Sequence, residues 1–302
     1  MADSLVDGSK RHLGTQSVGT LSFGCWRFTS PDIAEAGALI DTALELGMNL
    51  VDTADVYGLD WNGTGFGSVE ELLGRVIAER PTRRDGMVLA TKGGIIPGVP
   101  YDSSPAALNS ALDASLRRLG VDHVDLYQVH RPDLFTHPEQ LADTLRSFID
   151  SGRVSMVGVS NATISQTRAL RAHLGDALVS TQPEFSAAHL DPLRDGTFDL
   201  CMELDITPLA WSPLGGGRLL DNADTSVRPE LRLTLDELAM REGVSRACIA
   251  IAFVLAHPAR PIAILGTQQP DRLRDLQRSL EVHLDRTDLY RIIVASEGVP
   301  LP

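Results

Sequence analysis

Cysteine is scarce in this chain: Cys25, Cys201 and Cys248 are the only three in 302 residues, far apart and odd in number. With no CxxC pair among them, neither a disulfide framework nor a structural zinc site is expected, and a reducing cytoplasm suits the composition best. Basic charge is also in deficit. Lys and Arg number 27 against 40 Asp and Glu, a formal net charge of -13, so the summed field repels phosphate backbones and anionic lipid. Without a compensating basic patch, no nucleic-acid or membrane partner is expected. Long apolar runs are missing too, since none approaches the roughly 20 residues of a bilayer span, and "MADSLVDGSKRHLG" lacks the apolar core of a signal peptide. Linkers rich in Pro, Gly or Ser are absent, so residues 1–302 read as a single domain of a length that one α/β barrel uses. Nor do His123, His137, His173, His189, His257 and His283 share a metal-ligand spacing, and no metal is expected.

What the chain does contain is an alternation of short β-rich runs with segments of helical period. "VGTLSFG", "MNLVDT", "MVLAT", "HVDLYQV", "SMVGVS", "ALVST", "ITPLAW" and "PIAILG" read as strands. Between them lie helices with legible ends. Ser30-Pro31 reads as an N-cap before an N1 proline, Leu39, Ile40, Ala43 and Leu44 recur at helical spacing, and Gly47 stands where a left-handed C′ residue belongs. Ser104-Pro105 opens another helix, whose Leu108, Leu112, Leu116 and Leu119 form one stripe before Gly120. Eight strand–helix units predict a closed (β/α)₈ TIM barrel, with an open doubly wound sheet as the alternative.

A barrel places its chemistry at the C-terminal ends of the strands. Those ends carry Asp52 and Tyr57 in "NLVDTADVYG", Lys92 in "LATKGG", His130 in "YQVHRPD", Ser160 and Asn161 in "GVSNAT", Gln182 in "STQPEF" and Trp211 in "AWSPLGGGR". Each alone has an ordinary structural explanation: a strand-end Asp caps a turn, a lone Lys is solvated, a lone His packs. A phenol, an ammonium, a carboxylate and an imidazole at one barrel mouth suit proton transfer to a carbonyl oxygen. An ammonium ~4 Å away favours a phenolate by ~4 kcal/mol at an effective dielectric of 20, which is expected to draw Tyr57 down toward a useful range. Asp52 would hold Lys92 charged, and His130 would orient the carbonyl.

From end to end the chain resembles the aldo-keto reductases, with an ending, "DRTDLYRIIVASEGVP", similar to the bacterial YdhF-like type within that family. The resemblance implies a catalytic tetrad of Asp52, Tyr57, Lys92 and His130. It implies carboxamide ligands at Ser160, Asn161 and Gln182, an aromatic plate at Trp211, and a pyrophosphate loop through Ser212, Leu214, Gly216 and Arg218. "LGTQQPDRLRDL" is similar to the segment that holds the adenosine 2′-phosphate, with Arg272 as the clamp and Gln268 and Asp275 beside it. Gly266 and Thr267 open that segment where many members carry Lys or Ser/Thr, and Leu276 replaces an asparagine often set against adenine. NADPH/NADP+ is therefore the implied cofactor, with NADH the weaker match.

The implied activity is reduction of an aldehyde or ketone to an alcohol, or the reverse, with Tyr57 as general acid/base and a small-molecule carbonyl or alcohol as partner. Trp26, Trp61, Phe66 and His130 are expected to face the substrate. The stretch "GLDWNGTGFG" is longer than the family's common form and, rich in glycine, is expected to be mobile. Two other readings compete: a slow, redox-sensing subunit, by resemblance to potassium-channel β subunits, and a metal-dependent barrel hydrolase, which Lys92 between His130 and Asp52 disfavours. As a macromolecular partner the reading allows a second copy of the chain, in a homo-oligomer. Cys25 is expected to line the pocket, not to act as a nucleophile.

Overall fold

The computed structural model describes residues 3–300. An antiparallel hairpin, β1 (Arg11–Leu13) and β2 (Gln16–Val18), comes first. Eight parallel strands then close into a barrel: β3 (Leu21–Gly24), β4 (Leu50–Asp52), β5 (Val88–Gly93), β6 (Val124–Val129), β7 (Val154–Ser160), β8 (Leu178–Gln182), β9 (Thr207–Ala210) and β10 (Ile262–Leu265). They pair in chain order, and β10 closes onto β3. The helices are α1 (Ile33–Glu45), α2 (Ser68–Glu79), α3 (Thr82–Asp85), α4 (Pro105–Leu119), α5 (Pro138–Asp150), α6 (Ile164–Leu174), α7 (Thr197–Leu204), α8 (Pro229–Glu242), α9 (Arg246–Leu255), α10 (Pro270–Gln277) and α11 (Arg286–Glu297). The closed barrel is the fold anticipated above, and the open sheet is excluded.

Two apolar clusters hold it. The larger lies between strands and helices; the smaller fills the barrel, where Leu50, Val88, Leu126, Leu209 and Ile262 meet Leu13 and Val18 of the hairpin. The hairpin thus plugs the N-terminal mouth, a role the sequence pattern did not announce. Its strands are three residues each, too short for a period, and its turn rests on Gly14 at φ +53°. All eight anticipated barrel strands are present, although Val18, placed at the head of the first, belongs to the hairpin. The α1 cap also differs. Asp32, not Ser30, accepts the N–H groups of Ala34 and Glu35, because a carboxylate gains from the helix dipole as well as from the two bonds. Ser104 caps α4 and Gly120 ends it at φ +65°, as expected.

With the hairpin packed into the barrel core, the cleft lies at the C-terminal face. Asp52 ends β4, Ser160 ends β7 and Gln182 ends β8, while His130 and Trp211 stand one residue past β6 and β9. Among the described residues no helix is long and apolar enough to cross a membrane, and no cluster of three potential metal ligands exists.

Candidate active site

Burial forces the polar groups at the strand ends to find one another. Lys92 is fully buried and Asp52 nearly so. The Lys92 ammonium donates to Asp52 Oδ2 at 2.7 Å, to the Thr53 carbonyl at 2.8 Å and to Tyr57 Oη at 3.1 Å, so all three of its hydrogens are used. Burial on its own would lower the lysine; Asp52 and Tyr57 outweigh it and hold the ammonium above its ordinary range. At Tyr57 the balance tips the other way. Burial raises the phenol more than Lys92 lowers it, so the expectation of a lowered phenol is corrected and Tyr57 is a protonated acid at neutral pH.

His130 stands edge-on to Tyr57, ring centroids 5.8 Å apart. Burial, then the charges of Lys92 and Arg131, push its imidazole well below the usual histidine range, so the ring is neutral. Its Nδ1 is buried without a partner, which leaves Nε2 as the nitrogen nearer the cleft.

Beside this group Ser160 Oγ donates to the Gln182 carbonyl at 3.1 Å, and Asn161 Nδ2 donates to Ser160 Oγ at 2.8 Å. Asn161 takes φ +54°, a left-handed turn that asparagine tolerates, and its Oδ1 accepts the Trp211 indole N–H at 3.1 Å. The indole is thereby fixed in orientation. Gln182 gives its Nε2 to Asp52 Oδ1 at 3.0 Å, leaving Oε1 as the atom able to accept from a ligand.

A cleft of about 1060 Å³ runs from these residues past Leu214 and Gly216 to Gly266, Thr267, Gln268, Arg272 and Asp275. Ser212 turns the chain at φ +49°, and at Gly216 a side chain would meet open space. Asp275 lines the far end, but its carboxylate already accepts Ser245 Oγ at 2.6 Å, whereas the Arg272 guanidinium is in no ion pair among the described residues. Trp26 lines the near end with Arg27, Asp60 and Arg131.

Lys92 reaches the cleft only through Asp52 and Tyr57, and Cys25, Arg218, Phe66 and Trp61, also expected at the site, are not in the cleft wall. Arg218 folds back onto the Gly215 carbonyl at 2.8 Å. Phe66 lies under the Arg118 guanidinium, 5.8 Å from its ring, because Gly67 brings the chain against that arginine. Trp61 backs the wall instead of forming it, edge-on to Trp26 at 5.4 Å and under Arg27 at 4.0 Å. Its loop is also more fixed than its glycines suggest: Thr29 Oγ1 donates to the Trp61 carbonyl, and Gly65 N–H to the Gly58 carbonyl. Cys25 is buried beneath the site, its thiol pushed far up by burial, and is no nucleophile. Arg27 and Arg131 join the cleft with no signal in the sequence beyond their place directly after Trp26 and His130, and Gln128, whose Nε2 reaches Asp52 Oδ1 at 3.3 Å, joins the site from inside β6.

Known proteins share this fold. The aldo/keto reductase family model matches residues 19–296. A 6-dehydroglucose reductase of Novosphingobium aromaticivorans is 43% identical over 306 residues, covering 100% of both chains. Oxidoreductase YdhF of Escherichia coli is 31% identical, covering 92% of this chain and 94% of its own. Among solved structures, the thermostable aldo-keto reductase Tm1743 in complex with the inhibitor epalrestat aligns with a TM-score of 0.80 at 25% identity, over 95% of this chain and 99% of that one. The family model over residues 19–296 and the end-to-end similarity agree: the chain belongs to the aldo/keto reductase family.

Proposed function

We propose that this oxidoreductase uses NADPH to reduce an aldehyde on a polyhydroxylated substrate, the terminal aldehyde of a hexose, with Tyr57 as the proton donor. The observation that carries the reading is the single buried ammonium of Lys92 held between Asp52 and Tyr57, both of which line the cleft. When bound, the reduced nicotinamide supplies a hydride to the carbonyl carbon. Tyr57 gives its phenolic proton to the oxygen that becomes the alcohol, and Lys92 stabilises the phenolate left behind. Neutral His130 orients that oxygen from the side.

The residues present suit such a cofactor. Gln182 Oε1 is the amide atom left to accept from a carboxamide, the Trp211 indole is braced by Asn161, and Gly216 leaves its loop bare. Gly266, Thr267 and Gln268 border the end where Arg272, in no ion pair among the described residues, suits a 2′-phosphate, which is the support for NADPH over NADH. Asp275, already bonded to Ser245, has at most a secondary part there. Substrate class rests on two supports: the 6-dehydroglucose reductase similar over its whole length, and a near end that joins the Trp26 face to Arg27, Asp60 and Arg131. An apolar plate flanked by hydrogen-bonding groups suits a sugar better than a hydrocarbon chain. Three buried, separate thiols agree with work in a reducing cytoplasm.

The test is steady-state oxidation of NADPH and of NADH with 6-dehydroglucose and a panel of aliphatic and aromatic aldehydes. The reading expects the highest kcat/KM for the sugar aldehyde with NADPH. Turnover too slow for an enzyme with every carbonyl would instead favour a regulatory, cofactor-sensing subunit.

A further inference from the structure

The Asp52 carboxylate has more donors than the proton-transfer chain needs. Oδ2 faces Lys92, while Oδ1 receives two side-chain amides, Gln182 Nε2 at 3.0 Å and Gln128 Nε2 at 3.3 Å. Gln128 is fully buried, is not part of the cleft wall, and comes from β6, two strands away from Asp52. Its reach across the barrel has a local cause. Lys92, Gln128, Gly158 and Ser180 are register partners on β5, β6, β7 and β8, so their side chains form one layer. In that layer Gly158 contributes none. A Cβ there would come within 3.3 Å of Gln128 Cγ and 2.2 Å of Ser180 Oγ, so the glycine leaves the space the glutamine occupies.

A buried glutamine whose Oε1 finds no partner is costly in a barrel core that leucine would fill. We propose that Gln128 is a positioning residue for the reaction: with Gln182 it compensates Asp52 Oδ1, so that the carboxylate's charge does not act uncompensated on Tyr57. The consequence is directional. Without the Gln128 amide the Asp52 charge is less compensated, the phenolate is less stable, and Tyr57 becomes a weaker acid. Asp52 also fixes which way Gln182 points, since a carboxylate accepts only from Nε2, so both glutamines tie the proton path to the cofactor side. The inference rests on Tyr57 being the proton donor.

Gln128→Met and Gln128→Leu remove the amide at similar volume; Gln128→His restores an N–H donor. For either apolar variant kcat is expected to fall about three- to tenfold, a fraction of one charge-assisted bond. The basic limb of its pH dependence should move upward by about half a unit or more, with KM and NADPH affinity nearly constant and most of the loss recovered in Gln128→His. A readout free of turnover is the ultraviolet titration of the Tyr57 phenolate, taken as the difference between each chain and its Tyr57→Phe counterpart. It should rise in the apolar variants. Either apolar variant suffices if the other does not fold. An unchanged phenolate titration, with only the melting temperature lowered, overturns the inference. If the parent chain turned over no carbonyl compound, the proposed function would fall, and the titration would still decide the role of Gln128.

Discussion

Asp55 lies three residues past Asp52 in a place where a carboxylate should not stay ionised. It is 2% exposed, and its Oδ1 has no hydrogen-bond partner. Burial, reinforced by the facing carboxylate of Glu70, pushes its pKa up to about 8, with Arg118, the Val56 N–H and Lys92 opposing. Glu70 itself is satisfied by Arg118 at 2.6 Å and by Thr91, so it offers Asp55 only repulsion. Between the carboxylate's ordinary range and pH 8 the folded chain therefore holds a proton that the unfolded chain has released. Stability is lost as pH rises through that window. Asp55→Asn keeps the shape and abolishes the titration. At about 1.4 kcal/mol for each pH unit between the two values, the ceiling of the gain is about 6 kcal/mol; relaxation and water entry reduce the expected value to about 2–3 kcal/mol. Urea unfolding of both chains from pH 4 to pH 9 measures it. The Asn variant should gain nothing at the acid end and the full amount at the alkaline end. A stability difference that does not change with pH would refute the reasoning.

Two further substitutions test the cleft. Arg272→Ala should weaken NADPH binding by roughly the 1.5–3 kcal/mol of a charged hydrogen bond and leave NADH nearly unchanged, read by fluorescence titration; equal losses would remove Arg272 from the phosphate. Trp61→Ala withdraws the edge-on support of Trp26 and the face under Arg27, and should raise KM for the sugar aldehyde about three- to tenfold at nearly constant kcat. A lowered melting temperature with unchanged kinetics would make Trp61 a packing residue only.

The barrel was legible because its two periods differ: apolar runs of strand length ended in polar residues, and helices such as that opened by Ser104-Pro105 and stopped by Gly120 carried their own signals. Short elements were not. Three-residue strands such as Arg11–Leu13 have no measurable period, and at Ser30-Pro31-Asp32 two side chains could cap, so the dipole-favoured carboxylate decided. The polar core of the site was readable from strand ends alone, since Asp52, Lys92, Tyr57, His130 and Gln182 converge there. Gln128 was hidden because it lies inside β6, where sequence cannot say which neighbour leaves room; Gly158, thirty residues on, supplies that room. Phe66 and Trp61 went elsewhere for a similar reason. Their loop is held by Arg118 and Thr29, contacts that join segments distant in sequence.

The central claim is that Tyr57 delivers the proton, and Tyr57→Phe tests it most directly because one oxygen is removed from a ring that stays packed. Single-turnover and steady-state reduction of the best aldehyde should fall by at least about two orders of magnitude, the scale of one general acid. NADPH affinity and melting temperature should be nearly those of the parent chain. A Tyr57→Phe variant that reduces the aldehyde at close to the parent rate would contradict the account.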